Sequence, residues 1–323
     1  MKWFGVALCL VLAACIRPVS GPAQSTQTLA EARQGFVTNI AHPDAGGGAP
    51  PDPSDGVLRL ITYPAPLGDN AAYLTPPPKG DARQPAIIWI TGGDANSIGD
   101  VWTPNPPDND QSAAAFRQAG IVEMYPSLRG GNENPGHREG FYGEVDDILA
   151  AADYLAKLPY VDPARIYLGG HSTGGTLVLL TAEISTRFRD VFAFGPADDV
   201  RGYGGDFIPQ GMTDPTELKL RSPMYWLNGI ASPVFVLEGD GLSSNIDALR
   251  ALQAATTNPN VHFMVIAGAT HFSDLAPTTA LIARKILADT GPTTNVAFTA
   301  AEAASLMSNR GAGPPVASSP PGG

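Results

Sequence analysis

A serine stands between two glycines in the stretch RIYLGGHSTGGTLVLL, with Gly170 two positions before Ser172 and Gly174 two positions after it. The spacing alone is a weak signal in a chain with 36 glycines. The flanks are more specific, because a β-type run at 166–168 precedes the serine and an apolar helical run at 176–184 follows it. A tight turn between strand and helix holds a serine hydroxyl clear of the sheet, beside the positive end of the helix. The pattern predicts that Ser172 is a nucleophile rather than a serine in a structural turn.

A serine hydroxyl is a poor nucleophile until a base removes its proton, so a histidine must lie nearby in the fold. His271 is the candidate, because it follows the last predicted strand in the loop AGATHFSDLAP, at the carboxyl edge of the sheet. Of the other histidines, one adjoins the serine and is expected to point away, one lies inside a predicted strand, and two come earlier in the chain. These are His171, His262, His137 and His42, in that order.

The imidazole needs an acid to orient it, and in the chain order Ser, acid, His this acid lies between the other two. The stretch VFVLEGDGLSSN ends the penultimate predicted strand with two carboxylates, and its glycines let one of them turn toward the imidazole. We favour Asp240 as this acid, with Glu238 as the alternative. The pair Asp198 and Asp199, after the preceding strand, is the third candidate.

The negative charge that develops on an attacked carbonyl oxygen is stabilised by backbone N–H donors. Thr173 is expected to supply one donor and Gly93 or Asp94 the other, because ITGGD ends a predicted strand with exposed amides. These glycines do not predict a phosphate site, since both the P-loop lysine and the Rossmann spacing are missing. The histidines are scattered and no HExxH pattern occurs, so we expect neither a metal nor a cofactor.

Eight apolar runs predict the strands that must position these residues. The later six are continuous rather than alternating in polarity, as is expected of strands that are buried on both faces. Helical patterns separate them. The clearest, at 143–158, has one apolar stripe and is expected to leave Glu144 and Asp147 in water. The alternation predicts an α/β fold, with a mostly parallel eight-stranded sheet and helices on both faces. The predicted strands are 57–63, 71–74, 86–91, 121–125, 165–169, 191–195, 233–238 and 261–267.

The first residues, MKWFGVALCLVLAAC, carry one charge ahead of an apolar run that is too short to span a membrane. This is typical of a secretory signal peptide at 1–14. The ending LAAC resembles a bacterial lipobox, which implies cleavage before Cys15 and lipidation of that residue; a plain signal peptide cut slightly later is the alternative. We therefore expect an exported, membrane-anchored lipoprotein that faces the periplasm or the cell surface.

Composition divides the remaining chain into three parts. Residues 15–56 are expected to be a lipidated N-terminus and linker, and 57–291 the compact domain. Residues 292–323 are expected to be a largely disordered tail, because small residues, proline and glycine dominate its end. The formal net charge is −11 with no run of lysines or arginines, which argues against nucleic acid as a partner.

With these motifs in place, the chain resembles the α/β-hydrolase superfamily, and more narrowly the catalytic domain of prolyl-oligopeptidase-like serine peptidases and esterases. The stretches that carry the resemblance are PSLRGGNENPG, FYGEVDDILAAADYLAKLPYVDPARIYLGGHSTGG and the late THF. The resemblance implies an acyl-enzyme on Ser172 and structural roles for Arg129 and Asp147. Similar peptidases usually carry an aspartate three residues after the strand-ending glycine, where this chain has Leu242.

Similar peptidases commonly carry a β-propeller ahead of the catalytic domain, and we expect none here because the stretch before the first predicted strand is short. Small cap insertions at 93–110 and 199–228 are expected to control access instead. Their aromatics, including Tyr203, Phe207 and Trp226, either line a pocket or pack the cap. The leading hypothesis is a serine hydrolase that cleaves an ester or a short-peptide amide. The alternative is a lipid-anchored protein that keeps the fold for binding alone.

Overall fold

The computed structural model describes residues 27–53 and 56–308. The predicted signal peptide, the lipidation site at Cys15 and the last part of the predicted tail lie outside these residues. Across the two described ranges, no helix is both long enough and apolar enough to cross a membrane.

Eight strands form a single sheet, which confirms the predicted fold class. In chain order they are β1 (Arg59–Ala65), β2 (Gly68–Leu74), β3 (Gln84–Ile90), β4 (Val122–Pro126), β5 (Val161–His171), β6 (Val191–Phe194), β7 (Val234–Gly239) and β8 (Val261–Ile266). Their order across the sheet is β1-β2-β4-β3-β5-β6-β7-β8. The pairs β1–β2 and β2–β4 are antiparallel, and all other neighbours are parallel. The loops that follow the parallel strands therefore meet at one edge of the sheet, where ligands bind in open α/β sheets.

Helices cover both faces of the sheet. They are α1 (Leu29–Arg33), α2 (Ala115–Gln118), α3 (Glu144–Ala156), α4 (Thr173–Ile184), α5 (Pro215–Leu220), α6 (Ile246–Ala255), α7 (Leu275–Ala288) and α8 (Ala300–Ser305). Helices α1, α3, α4 and α6 pack into one apolar cluster, and α2, α7 and α8 pack into a second. The two clusters share the sheet, because alternate side chains of each buried strand point to opposite faces.

Helix α3 buries its predicted apolar stripe, but two acidic residues that we expected in water are buried as well. Asp147 accepts hydrogen bonds from the backbone N–H of Arg129 and from its guanidinium, at 2.9 and 3.0 Å. Glu144 accepts from the backbone N–H groups of Glu139 and Gly140. The partners of Asp147 replace water at both of its carboxylate oxygens, as a buried charge requires. Within the described ranges, the hydrogen bonds to Glu144 go to Oε1, and its Oε2 is buried without a hydrogen-bond partner.

Residues 27–53, which we call the N-terminal strap, pack against the domain, so the prediction of a linker needs correction here. Leu29 is buried in the core and Arg33 pairs with Asp146 at 2.8 Å. Further along, the carboxylate of Glu217 accepts from the backbone N–H of Asn39 at 2.7 Å. These partners lie far away in sequence, which is why composition alone describes the segment as a spacer.

The first part of the predicted tail is also ordered against the domain. Val296 and Leu306 are buried in the second apolar cluster, and helix α8 begins with a capping box between Thr299 and Glu302. Glu302 pairs with Lys285 on α7 at 2.7 Å. The prediction of a largely disordered tail is therefore wrong for 292–308.

Candidate active site

Ser172 occupies a strained turn between β5 and α4. Its φ of 56° and ψ of −114° lie outside the regions that L residues ordinarily adopt, and its side chain is partly exposed. The glycines after it are required for packing, because a Cβ on Gly174 would overlap the carbonyl oxygen of Ile90 and one on Gly175 that of Phe194. The helix thus lies close against β3 and β6 while the serine protrudes. Such strain is stored at functional sites because the surrounding structure maintains it.

His271 lies in the loop after β8 and is hydrogen-bonded to the alternative acid, Glu238, at the end of β7. The distance from Nδ1 of His271 to Oε2 of Glu238 is 2.9 Å, and the carboxylate is fully buried. The other oxygen of Glu238 accepts from the backbone N–H of Gly239 at 2.8 Å. A carboxylate only accepts, so Nδ1 carries the proton and Nε2 is left as the basic nitrogen.

The acid that we favoured from the sequence lies elsewhere. Asp240 directs its Oδ1 to the backbone N–H of Gly268 at 2.6 Å, in the turn that follows β8. Asp199, of the third candidate pair Asp198 and Asp199, accepts a hydrogen bond from Arg201, with 2.8 Å between Oδ1 and Nε. Glu238 reaches the imidazole because it belongs to the buried end of β7, whereas Asp240 follows the strand and turns toward the β8 loop. Asp240 is therefore corrected to Glu238 as the imidazole's partner.

The space for the His271–Glu238 pair depends on Gly195, which directly follows β6. A Cβ there would lie 2.6 Å from Oε2 of Glu238 and would overlap the imidazole ring. Gly195 also has a φ of 53°, a conformation that glycine adopts at little cost. No local sequence pattern points to this role of Gly195, which follows from the packing of β6 against β7.

Ser172 and His271 are brought to the same place by two contacts of their neighbours. The backbone N–H of Ser172 donates to the carbonyl of Phe194, next to Gly195, at 2.8 Å. Nε2 of His171 lies 2.8 Å from the carbonyl oxygen of His271. Within the described ranges His271 is hydrogen-bonded to Glu238 and not to Ser172. A bond between nucleophile and base often tightens only when substrate binds.

The three oxyanion candidates lie together at the start of α4. Thr173 begins that helix, so its backbone N–H has no intrahelical acceptor. Its hydroxyl donates to the carbonyl of Gly93 at 2.9 Å, which joins the two loops. The carboxylate of Asp94 accepts a hydrogen bond from the guanidinium of Arg138 at 2.7 Å, and a carboxylate cannot donate to an oxyanion. The backbone N–H of Asp94 is the part that remains a candidate.

A cavity of about 460 Å³ opens beside Thr173 and Gly93. Its lining includes the apolar side chains of Phe141, Leu177 and Phe207 together with polar and charged residues. The N-terminal strap supplies one wall with 42–44, and the two predicted cap insertions supply others. The segment that the sequence describes as a linker is therefore part of the cavity.

The cap aromatics divide between the two roles that the sequence left open. Phe207 lines the cavity. Tyr203 packs against a residue of the cavity lining: its ring stacks on Phe141 with centroids 5.3 Å apart, and its hydroxyl oxygen lies 2.8 Å from that of Thr176. Trp226 is buried and its indole N–H donates to the carbonyl of Lys219, so it packs the cap.

Sequence reasoning missed His171 and Gln111. The ring of His171 does not point away from the site; its centroid lies 4.4 Å from that of His271. Gln111 contacts His171 from the loop after β3, with 2.9 Å between Nε2 and Nδ1. The position of His171 beside the nucleophile is a signal for the first residue, but no local pattern points to the second.

Comparison with known proteins gives a family match. The model of the prolyl oligopeptidase family matches residues 107–276, a stretch that includes every residue of the site except those of the N-terminal strap and the Gly93 loop. Among curated proteins, the dual function macrocyclase-peptidase POPB of Galerina marginata is 33% identical over 108 residues, which are 31% of this chain and 14% of the relative. The polyketide transferase claH of Penicillium crustosum is 31% identical, over 35% of this chain and 40% of the relative. The chain thus spans well under two thirds of these relatives.

Solved structures share the fold. A puromycin-hydrolyzing peptidase of Mycobacterium tuberculosis superposes with a TM-score of 0.57 and 21% identity, covering 74% of this chain and 40% of that one. The acylaminoacyl peptidase of Pyrococcus horikoshii gives a TM-score of 0.55 at 14% identity, over 76% of this chain and 44% of that one.

Proposed function

The chain belongs to the prolyl oligopeptidase family, and on that premise we propose that it is a serine hydrolase that acts through an acyl-enzyme on Ser172. The observation that carries the proposal is the hydrogen bond of 2.9 Å between His271 and the buried Glu238, close to a serine held in a strained turn. A protein that kept the fold for binding alone would have no need to maintain either feature.

In the proposed acylation step, the Ser172 oxygen attacks a carbonyl carbon while Nε2 of His271 takes the hydroxyl proton. Glu238 accepts from Nδ1–H, which keeps Nε2 free to receive that proton and stabilises the imidazolium that forms. The backbone N–H groups of Thr173 and of Gly93 or Asp94 stabilise the oxyanion. His271 then protonates the leaving amine or alcohol, and the carbon–nitrogen or carbon–oxygen bond breaks.

In the second half, water attacks the acyl carbon and His271 accepts one of its protons. The carbon–oxygen bond to Ser172 breaks, the proton returns to the serine oxygen, and the acid product leaves. His271 acts as base and then as acid in each half, and Ser172 is the nucleophile of the first half and the leaving group of the second, so loss of either residue stops the cycle.

We further propose that the substrate is the amide of a short peptide or a compact ester with an apolar group beside the scissile bond. The apolar lining supports this, because Phe141, Leu177 and Phe207 face a cavity next to the oxyanion candidates. The family's peptidase relatives favour the amide. The described lining carries three carboxylates and one guanidinium, those of Asp44, Asp94, Asp206 and Arg138, so we expect neutral or cationic substrates to be preferred to anionic ones.

The residues before the strap support a separate proposal about location. The apolar run and the LAAC ending are the basis for export and for a lipid anchor on Cys15. Mass spectrometry of the membrane fraction tests this: we expect a diacylated or triacylated N-terminal cysteine, and a soluble protein cleaved after Cys15 contradicts it.

A fluorophosphonate probe tests the catalytic proposal, because it reacts only with an activated serine. We expect a single adduct on Ser172, located by mass spectrometry, that is absent in Ser172→Ala and in His271→Ala. Hydrolysis of ester and aminoacyl substrates should disappear in the same two variants. A folded wild-type protein that neither reacts with the probe nor turns over any substrate favours the binding-protein alternative.

A further inference from the structure

We propose that His171 and Gln111 are positioning residues, which hold the loop of His271 and the loop of Gly92 in place around Ser172. The inference rests on the proposed function, because it gives both residues a part in the same reaction. Neither side chain has to touch substrate, since Gln111 acts through the backbone N–H of Gly92 and His171 through the carbonyl of His271.

The contacts of His171 determine its protonation state. Its Nε2 lies 2.8 Å from the carbonyl oxygen of His271, and a carbonyl only accepts, so Nε2 carries a proton. Burial, reinforced by the neighbouring His271, lowers the pKa of the His171 imidazole to about 3. The ring is therefore neutral at neutral pH, and its Nδ1 has no proton.

The contacts of Gln111 determine the orientation of its amide. A bare Nδ1 must accept, and the donor within reach is the amide nitrogen of Gln111 at 2.9 Å. That orientation directs Oε1 of Gln111 toward the backbone N–H of Gly92, which donates to it at 3.2 Å. The glutamine is itself held at the backbone, where its carbonyl accepts from the indole of Trp89 at 2.9 Å.

Three hydrogen bonds thus run in one direction: from Gly92 to Gln111, from Gln111 to His171, and from His171 to the carbonyl of His271. Gly92 adjoins the oxyanion candidate Gly93, and His171 adjoins Ser172 in sequence. The series joins the loop of Gly92, the turn at Ser172 and the loop of His271, which follow the three strands β3, β5 and β8. A neutral histidine suits this position, because it transmits the hydrogen bonds without adding a charge beside His271.

The test uses a pair of substitutions at His171. His171→Gln keeps a donor at the position of Nε2, whereas His171→Leu has none. We expect His171→Leu to lower kcat about 100-fold, the effect of a misplacement of about 1 Å, while KM stays nearly constant. His171→Gln should restore kcat to within about tenfold of the wild type. Kinetics with a p-nitrophenyl ester and the rate of fluorophosphonate labelling give the two readouts.

Gln111 provides an independent variant if His171→Leu fails to fold. Gln111→Leu breaks the middle of the series without altering the nucleophile turn, and we expect kcat to fall about tenfold with little change in KM. Gln118→Leu, at an exposed glutamine on α2 outside the site, is the matched control and should leave kcat unchanged. Circular dichroism and thermal denaturation establish that each variant is folded.

Two results overturn the inference while leaving the proposed function intact. One is a labelled, active wild type whose folded leucine variants at both positions keep wild-type kcat. The other is a His171→Gln protein as impaired as His171→Leu, which shows that the bond to the His271 carbonyl is irrelevant. A wild type that is never labelled at Ser172 refutes the proposed function itself, and with it the inference.

Discussion

Substitution of Glu238 by glutamine is the sharpest test of the site, because it changes the charge of the proposed acid and almost nothing of its shape. In the wild type, one carboxylate oxygen accepts from Nδ1 of His271 at 2.9 Å and the other accepts from the backbone N–H of Gly239 at 2.8 Å. A glutamine has only one oxygen to offer. Whichever way its amide turns, one of the two N–H groups faces another donor.

Both orientations impair the reaction, but one does so far more. If the amide nitrogen faces His271, Nδ1 must accept, the ring proton moves to Nε2, and the base can no longer take the proton of Ser172. If the amide is reversed, the tautomer is correct, but the buried N–H of Gly239 loses its acceptor at about 1–3 kcal/mol. The imidazolium also loses its counter-charge. We expect kcat to fall about 10³- to 10⁴-fold, or roughly 4–5.5 kcal/mol in activation free energy.

Asp240→Asn is the matched control, since it makes the same chemical change two residues away. Asp240 contacts the backbone N–H of Gly268 and not the imidazole, so we expect kcat within about threefold of the wild type. Steady-state kinetics on one ester and one aminoacyl substrate, with thermal denaturation of each variant, make the comparison. A Glu238→Gln enzyme within tenfold of the wild type, or an Asp240→Asn enzyme that loses the activity instead, refutes the assignment.

Three further predictions concern packing and charge. Gly195→Ala should lower kcat at least about 100-fold, because the new Cβ would overlap the proposed base and acid. Gly204→Ala is the control, since Gly204 has a similar positive φ but open space around it, and its kcat should not fall. Equal kinetics in the two variants contradicts this prediction. Burial raises the pKa of the Glu183 carboxyl well above the usual 4.5, so the folded state keeps a proton that the unfolded chain releases, and stability falls as pH rises above that value. Urea denaturation should give Glu183→Gln the same unfolding free energy as the wild type near pH 4. Above pH 4 the variant should gain up to about 1.4 kcal/mol over the wild type for each pH unit. Unfolding free energies that change with pH in the same way in both proteins contradict this prediction. Arg129→Met leaves the buried Asp147 without its guanidinium and should cost about 3–5 kcal/mol of unfolding free energy, so a loss below about 1 kcal/mol shows that the pair is not structural.

Local pattern was sufficient for much of the fold. All eight strands were predicted to within four residues of their observed bounds, because six of them do not alternate in polarity and turn residues separate them. The turn at Ser172 was predicted for the same reason, since strand, glycines and helix are contiguous in the chain. His271 could be singled out by its place after the last strand, although its role as base stays a prediction.

Tertiary structure decided what depends on the meeting of distant segments. The choice between Glu238 and Asp240 follows from where β7 ends relative to the β8 loop, a difference of two residues that chain order does not resolve. The N-terminal strap and the 292–308 segment look like spacers by composition, but buried apolar residues and ion pairs with distant partners order them. The hydrogen bonds through His171 and Gln111 likewise join residues 60 and 100 positions apart. Sequence patterns report the neighbours of a residue along the chain, whereas hydrogen-bond partners and cavity walls depend on the neighbours that folding brings into contact.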